Sequence, residues 1–216
     1  MVMKKNKYQM MLEKILAEGK HQNNKKGGIT YLLNQQICLS SYDLLEIFEG
    51  HGIARKKLRS ELSLFMQGER DIEKYREAGI YWWDYCGQIL INSYPTYFAK
   101  LPALIDTINR EKRNSKNYVL FLGQTGAETN QAPCLSLIQF QLDEGQLVLS
   151  AYQRSSDASI GLPADIYHLY LIARHIDCPL KSITITFGNV HIYDNNIEPT
   201  RQLLAGDDSV KFNLNV

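Results

Sequence analysis

Tyr8, Leu12, Ile15 and Leu16 recur at helical spacing, and Gly19 follows them as a stop signal. The polar, basic run from His21 to Gly28 predicts a loop with its tip at Lys25-Lys26-Gly27-Gly28, and the short apolar stretch Ile29 to Leu39 predicts a strand. Leu58, Leu62, Phe65 and Met66 mark a second helix that ends at Gly68. Ile80 to Tyr85 forms an aromatic cluster. Tyr97, Leu101, Leu104, Ile105 and Ile108 predict a third helix, and Tyr118 to Leu122 a buried strand. Leu135 to Leu142 and Gln146 to Gln153 flank Asp143-Glu144-Gly145, the pattern of a hairpin with a three-residue loop. Pro163 to Ile176 reads as a helix with Ile166, Leu169, Tyr170 and Ala173 on its apolar face. Lys181 to Phe187 alternates as a half-buried strand, and Asn196 to Leu204 is the last helix. Helices interleave with strands, yet the hairpin is antiparallel, which predicts an α/β or α+β fold with a mixed sheet flanked by helices. No repeat, low-complexity tract or linker divides the chain, so a single domain over residues 1–216 is expected, large enough for a substantial core.

Composition removes several function classes. Lys and Arg number 24 against 23 Asp and Glu, a net charge of +1, which gives no electrostatic case for binding nucleic acid or a membrane surface. No apolar run approaches the roughly 18 residues of a membrane span. The N-terminus is basic but lacks the apolar stretch of a signal peptide, so a cytoplasmic protein is expected. Cys38, Cys86, Cys134 and Cys178 are widely spaced with no CxxC pair, which indicates neither a zinc cluster nor a disulfide framework; no metal is expected.

Three clusters could carry chemistry. Ala132-Pro133-Cys134 sets a cysteine just before a strand. Tyr152-Gln153-Arg154-Ser155-Ser156-Asp157 follows the hairpin and leads to Gly161-Leu162-Pro163-Ala164-Asp165. The third is Gly188-Asn189-Val190-His191-Ile192-Tyr193. If Gln139 and Gln141 pair roughly with Leu147 and Leu149, Cys134 lies near Arg154 at the open end of the hairpin. A guanidinium fixed beside a thiol favours the thiolate. From spacing alone the alternative is equally simple: Arg154 on the surface and Cys134 in the core.

Taken together these residues resemble the thymidylate synthase and pyrimidine-nucleotide hydroxymethylase superfamily. Ala-Pro-Cys, a hairpin, Tyr-Gln-Arg-Ser-x-Asp and Gly-Leu-Pro are similar to that family's active-site region. Gly-x-x-His-Ile-Tyr resembles its sugar-binding strand, and Glu61-Leu-Ser-Leu-Phe65-Met-Gln-Gly68 its glutamate-bearing helix. The order and spacing agree from about Tyr8 to Leu204. The resemblance implies the family's fold and a one-carbon transferase that uses 5,10-methylenetetrahydrofolate. Cys134 would add to C6 of a pyrimidine nucleotide, making C5 nucleophilic. Arg154 would contact the phosphate and the thiolate, Glu61 would organise water and proton transfer, and Tyr94 would serve proton removal from C5. Gln153, Ser155, Asp157, His191 and Tyr193 would bind the nucleotide, the last two at the sugar. Trp82, Tyr85, Asp157 and Gly161 would meet the pterin. Each has an ordinary alternative: Glu61 a solvated helix residue, His191 an edge-strand residue, Trp82 a core residue. The family further implies a homodimer of back-to-back sheets in which phosphate ligands cross between subunits. Lys25 and Lys116 stand where the family is rich in arginine, so the two-pronged grip on phosphate is replaced by point charges.

The most informative departure is Asp165, where uracil-specific relatives resemble Gly-Leu-Pro-x-Asn. An asparagine amide donates to O4 of uracil and accepts from N3–H; cytosine offers an N4 amino donor and an N3 acceptor instead. A carboxyl suits cytosine, which points to CMP or dCMP. Asp165 also follows Pro163 at a helix start, where aspartate is favoured as a cap. The chain stops soon after the last helix, without the tail that closes over the cofactor in the family; admitted water fits 5-hydroxymethylation, and fits loss of the folate chemistry as well. The readings are therefore a cytidylate 5-hydroxymethylase, a C5-methylase of the thymidylate synthase type, or a nucleotide-binding homologue without folate chemistry. Leu135, where the synthases have histidine, has no explanation in the sequence.

Overall fold

The computed structural model describes residues 5–24, 27–50, 52–123, 132–207 and 209–213. Along the chain run α1 (Lys7–Glu18), β1 (Lys20–Asn24), β2 (Gly27–Ser40), α2 (Ser41–Gly50), α3 (Arg55–Gln67), α4 (Ile72–Glu77), α5 (Tyr94–Phe98) and α6 (Leu101–Glu111). The second half holds β3 (Val119–Phe121), β4 (Leu135–Asp143), β5 (Gln146–Gln153), β6 (Ser156–Asp157), α7 (Gly161–Ala173), β7 (Leu180–Tyr193) and α8 (Ile197–Leu204); short 3-10 turns lie between α4 and α5 (Asp84–Cys86) and between β7 and α8 (Asp194–Asn196).

The strands form one mixed sheet in the order β1-β2-β7-β5-β4-β3, with β6 also on β7. All neighbours are antiparallel except β5 and β6, which run parallel to β7. A parallel neighbour needs a crossover, and α7 supplies it. The alternation dictates the layers. Leu147, Leu149, Ala151, Gln153, Ile183, Ile185 and Phe187 point to one side and are buried, against helices that include α1 and α7. Leu137, Gln139, Val148, Ser150, Thr184 and Thr186 point to the other side and stay half-buried, with Tyr152 exposed among them.

Several expectations are corrected. The polar run at His21 is a strand: β1 pairs with β2 from Lys20↔Tyr31 to Asn24↔Gly27. An edge strand has no obligation to bury either face, so hydrophobic periodicity is silent about it. The β4–β5 loop has two residues, not three. Asp143 pairs with Gln146, and Glu144 (φ 51°) and Gly145 (φ 77°) both take the left-handed conformations of a type I′ turn. The register is accordingly Gln139↔Ser150 and Gln141↔Val148. The third helix is two, α5 and α6; Pro102, in the first turn of α6, lacks the N–H an unbroken helix would need and its ring would crowd the carbonyl of Phe98. Tyr118–Leu122 contains a strand of only three residues, and Phe121 in it is exposed. Helix α2 follows β2 without a loop; its signal was Ser40-x-x-Asp43, whose side chains bond reciprocally to each other's backbone N–H at 3.3 and 2.7 Å. Helix α4 is capped by Asp71, which accepts from Glu73 N at 3.0 Å.

Between β5 and β6 pairing with β7 lapses for two residues, Arg154 and Ser155, then resumes at Ser156↔Val190 in the same register. Gly188 of β7 faces that break. A Cβ there would lie 2.7 Å from Tyr152 Oη and 3.0 Å from the Arg154 carbonyl oxygen, so the missing side chain is what lets Arg154 turn out of the sheet.

Candidate active site

Cys134 stands one residue before β4, half-buried, and its carbonyl accepts from Arg154 N at 2.9 Å. The Arg154 guanidinium grips the same segment: Nε donates to the Pro133 carbonyl at 3.1 Å and Nη2 to the Ala132 carbonyl at 2.9 Å. Two of its five N–H groups are so used, and the side chain is otherwise exposed, so a fixed positive charge with donors to spare is clamped to the backbone that carries the thiol. Tyr94, at the start of α5, closes the other side. Its Oη accepts from Leu135 N at 3.3 Å, and its ring stacks on Phe65 at 5.3 Å. Burial, with Asp165 and Cys134 adding to it, holds the phenol well above its ordinary range, so it works as a neutral hydroxyl. Leu135 is buried in the core, which accounts for an apolar residue after the cysteine.

Glu61 on α3 is not solvated; it is 3% exposed. It neighbours the apolar stripe of Leu58, Leu62 and Phe65 and faces inward with it. Its Oε1 accepts from the indole N–H of Trp82 at 2.6 Å and of Trp83 at 2.5 Å. Burial raises its pKa to about 7, against the lowering effect of the two indole bonds. Desolvation wins, and Glu61 is poised to take or give a proton near neutrality. Trp82, expected alternatively in the core, is 40% exposed, and Tyr85 is 65% exposed; Trp83 lies between Tyr85 (6.2 Å) and Tyr94 (6.0 Å). An aromatic ledge thus runs from Glu61 toward Cys134.

Asp165 lies half-buried in the second turn of α7, and it does not cap the helix. Its Oδ2 accepts from Gln153 Nε2 at 2.5 Å, and burial, the largest influence, raises its pKa to about 6. Gln153 is fully buried, and its Oε1 has no hydrogen-bond partner among the described residues. A buried acceptor left unmet is costly, so a ligand that brings a donor to Gln153 Oε1, beside the raised carboxyl, would be favoured.

Asp157 on β6 pairs with His191 on β7. Its Oδ1 accepts from Ser159 N at 2.9 Å, and burial raises its pKa to about 6. His191 is buried on a central strand rather than an edge; its Nδ1 lies 2.9 Å from Asn189 Oδ1, and burial lowers its pKa to about 4, so the ring is neutral. Tyr193, two residues on, meets that ring edge-on at 5.1 Å. Tyr8 ties this region to α1 by donating to the Ala158 carbonyl at 2.9 Å.

The structure thus gathers Cys134, Arg154, Tyr94, Glu61, Trp82, Tyr85, Gln153, Asp157, Asp165, His191 and Tyr193 around the ends of β4 and β5 and the start of α7. Ser155 sits half-buried in the β5–β6 break, and Gly161 begins α7 with ordinary space around it. Lys116 is not brought to this place. It is exposed beside Gln139, which donates to its carbonyl at 3.0 Å; that is five residues along β4 from Cys134, roughly 17 Å at about 3.4 Å per residue. Lys25 lies outside the described residues. Sequence reading overlooked two residues of the cluster, Trp83 and His168. The signal for His168 was its place three residues after Asp165 on one helix.

Glu61→Gln is expected to stabilise the fold at pH 8 and leave it nearly unchanged at pH 5. The folded pKa lies above the unfolded one, so the contribution of the protonated carboxyl is complete below about pH 4.5 and is lost as pH rises through about 7. At pH 8 the wild type carries a buried charge that glutamine lacks, worth a few kcal/mol at about 1.4 kcal/mol per unit. Thermal unfolding at the two pH values checks this; equal shifts at both would contradict it.

Among the described residues no group of His, Cys, Asp or Glu gathers as a metal site, and no helix is long and apolar enough to cross a membrane. The family model described as Thymidylate synthase matches residues 6–215.

Proposed function

Because the chain belongs to the thymidylate synthase family, we propose that it transfers a one-carbon unit to C5 of a cytidine nucleotide, CMP or dCMP, and releases the 5-hydroxymethyl product. Membership itself supports one-carbon transfer to C5 of a pyrimidine nucleotide and a typically dimeric enzyme; the family uses methylenetetrahydrofolate.

The observation that carries the cytosine reading is Asp165, anchored through Oδ2 by the fully buried Gln153 and holding a pKa of about 6. A carboxyl so close to neutrality accepts from the N4 amino group in either state and, when protonated, donates to N3. A proton shared with N3 draws electrons from C6. Cys134 then adds as the thiolate: the C6–S bond forms and the C5=C6 π pair moves to C5. Arg154 supplies positive charge at the segment carrying that sulfur and spare N–H groups for the phosphate. The neutral Tyr94 hydroxyl passes the C5 proton to solvent, and Glu61 gives and takes protons at the ring substituent. Water adds to the exocyclic carbon on C5 as the C6–S bond breaks, which gives the hydroxymethyl group, restores the C5=C6 bond and returns Cys134 as the thiolate. His191 and Tyr193 hold the sugar.

The residues fit the folate. Trp82 and Tyr85 are exposed and flat, Tyr85 near enough to Cys134 to feel its charge, an arrangement suited to stacking a pterin, and Trp82 is held by its bond to Glu61. When bound there, methylenetetrahydrofolate supplies the one-carbon unit at the oxidation level of formaldehyde.

The test is incubation with CMP, dCMP and dUMP in the presence of methylenetetrahydrofolate, followed by mass spectrometry. An added CH2O on a cytidine nucleotide is the expected product; no extra carbon on either one rejects the reading. Dihydrofolate as coproduct would indicate methylation instead.

The half-buried face of the sheet, bearing Thr184, Thr186, Ser150 and Val148, supports a homodimer through that face, and Lys116 then reaches the phosphate of the partner's site. Lys116→Ala should weaken nucleotide binding about tenfold without changing Tm. Mixing Lys116→Ala with Cys134→Ser subunits should restore up to a quarter of the wild-type activity, because a mixed dimer pairs each defect across subunits. No recovery on mixing would count against ligands donated between subunits.

A further inference from the structure

The turn that carries Asp157 is held by residues the chemistry above does not use. Asp157 is half-buried, so its carboxyl is within reach of a ligand; its Oδ1 accepts from Ser159 N at 2.9 Å, and Ile160 N adds a second backbone bond. Ala158 is fixed on both sides. Its N–H donates to the His191 carbonyl at 2.7 Å, and its carbonyl accepts from the Tyr8 hydroxyl. A third hold comes from α8. Ser159 Oγ and Thr200 Oγ1 lie 3.1 Å apart, and neither residue is exposed. Thr200 donates its hydroxyl proton to the Asn196 carbonyl, one turn earlier, at 2.7 Å. A hydroxyl has a single proton, so within the pair Ser159 donates and Thr200 accepts. The Asn196 side chain is buried as well and clamps the main chain of Asn213: its Nδ2 donates to the carbonyl at 3.2 Å and its Oδ1 accepts from the N–H at 2.8 Å.

We infer that Thr200 is a positioning residue for Asp157: its hydroxyl holds the Ser159 side chain, and Ser159 in turn keeps its N–H on the Asp157 carboxyl. The direction of the bonds matters. With its own proton committed to Asn196, Thr200 presents only lone pairs to the turn, and a buried Ser159 proton is costly to leave unmet. The bond from Ser159 N to Asp157 spans two residues and is of the kind a loop makes and breaks by itself. Fastening the Ser159 side chain to a helix residue 41 positions further on removes that freedom. The titratable groups that face Asp157 are Tyr8 on α1, His191 and Tyr193 on β7, and Asp165 on α7. Burial keeps both phenols protonated, and His191 is neutral above about pH 4. Asp165 is therefore the neighbour that titrates in the same range as Asp157, each with a pKa of about 6. The effect of Thr200 on turnover rests on the one-carbon transfer proposed above; its effect on Asp157 itself does not.

NMR of the full chain with carbon-13 in its aspartate carboxyls reads Asp157 without any turnover. The titration is made in Asp165→Asn, where Asp157 is left as the aspartate with a midpoint raised to about 6, and Asp157→Asn in that background should remove the signal. Thr200→Val keeps the shape and removes the hydroxyl; it should raise the midpoint by about one pH unit, a tenfold fall in the ionisation constant. Thr200→Ser restores the hydroxyl and should return the midpoint toward the parent value. An unmoved midpoint in Thr200→Val, with the Asp157→Asn control intact, overturns the inference. So does an equal shift in Thr200→Ser, which would mean that α8 acts through packing and not through the hydroxyl. If Thr200→Val does not fold, Ser159→Ala cuts the same bond from its other end with the same expectation. With Asp165 in place, Thr200→Val should raise KM for methylenetetrahydrofolate about tenfold while KM for the cytidine nucleotide stays within a few-fold. An unchanged folate KM in an active chain would also overturn the role. A raised midpoint in a chain that shows no one-carbon transfer would retain the positioning role and reject the function proposed for the site.

Discussion

Asp165→Asn is expected to turn the substrate preference from cytidine to uridine nucleotides, changing the ratio of kcat/KM by on the order of 10⁴. The size follows from the fully buried Gln153 behind Asp165, which leaves little water to repair a mismatch. In water a mismatched edge recovers its hydrogen bonds from solvent, but in a buried site each unmatched donor or acceptor costs about 1–3 kcal/mol, and an amide held with its oxygen toward N3 mismatches cytosine at both N3 and N4. The substitution keeps the local structure. Gln153 Nε2 donates to one oxygen of Asp165, and an asparagine oxygen accepts the same bond. It also removes a group with a pKa of about 6, so the dependence of cytidine binding on pH near that value should vanish with it. Competition between dCMP and dUMP, or CMP and UMP, over pH 5 to 8 measures both effects. A ratio within tenfold of the wild type would mean that Asp165 does not read the base.

Cys134→Ser should abolish turnover, by a factor on the order of 10⁴ to 10⁶, while nucleotide affinity changes only a few-fold. A hydroxyl is not ionised at neutral pH, and the positive charge of Arg154 falls far short of ionising it. The fold has little stake in the sulfur, since the Cys134 segment is held through its carbonyls by Arg154 and through the Leu135 N–H by Tyr94. Exchange of the C5 hydrogen with solvent, which needs only addition at C6 and not the folate, isolates this step. Exchange at the wild-type rate in Cys134→Ser would eliminate the thiolate as nucleophile. Loss of exchange together with loss of binding would place Cys134 in the binding site without a covalent role.

What the sequence disclosed and what it withheld follow one physical division. Elements that bury a stripe were legible: α1, α3, α7 and the β4–β5 hairpin announce themselves because their apolar residues must repeat at 3.6 or at 2. Strand β1 was not, because an edge strand of polar residues buries nothing. The helix break at Pro102 and the two-residue turn at Glu144-Gly145 depend on single backbone conformations that periodicity averages away. In the site, the Cys134–Arg154 neighbourhood could be reached by counting residues across a hairpin even though the pairing differed from the observed Gln139↔Ser150 and Gln141↔Val148. Glu61 could not be placed by pattern, since a carboxylate beside an apolar stripe reads as solvated until the indoles of Trp82 and Trp83 are seen to cover it. His168 was hidden for the same reason: its partner, the Leu58 carbonyl, lies more than a hundred residues earlier in the chain.

The two margins of the sheet are unlike its middle. One is β1, Lys20–Asn24, polar and with a cation at its start; the other is β3, three residues long. Neither offers the long, flat, apolar row of free amides on which another chain's strand can zip up, so lateral growth into fibres has no template at either border. The homodimer proposed above, through the broad surface of the sheet, would then be a closed pair and not an open polymer.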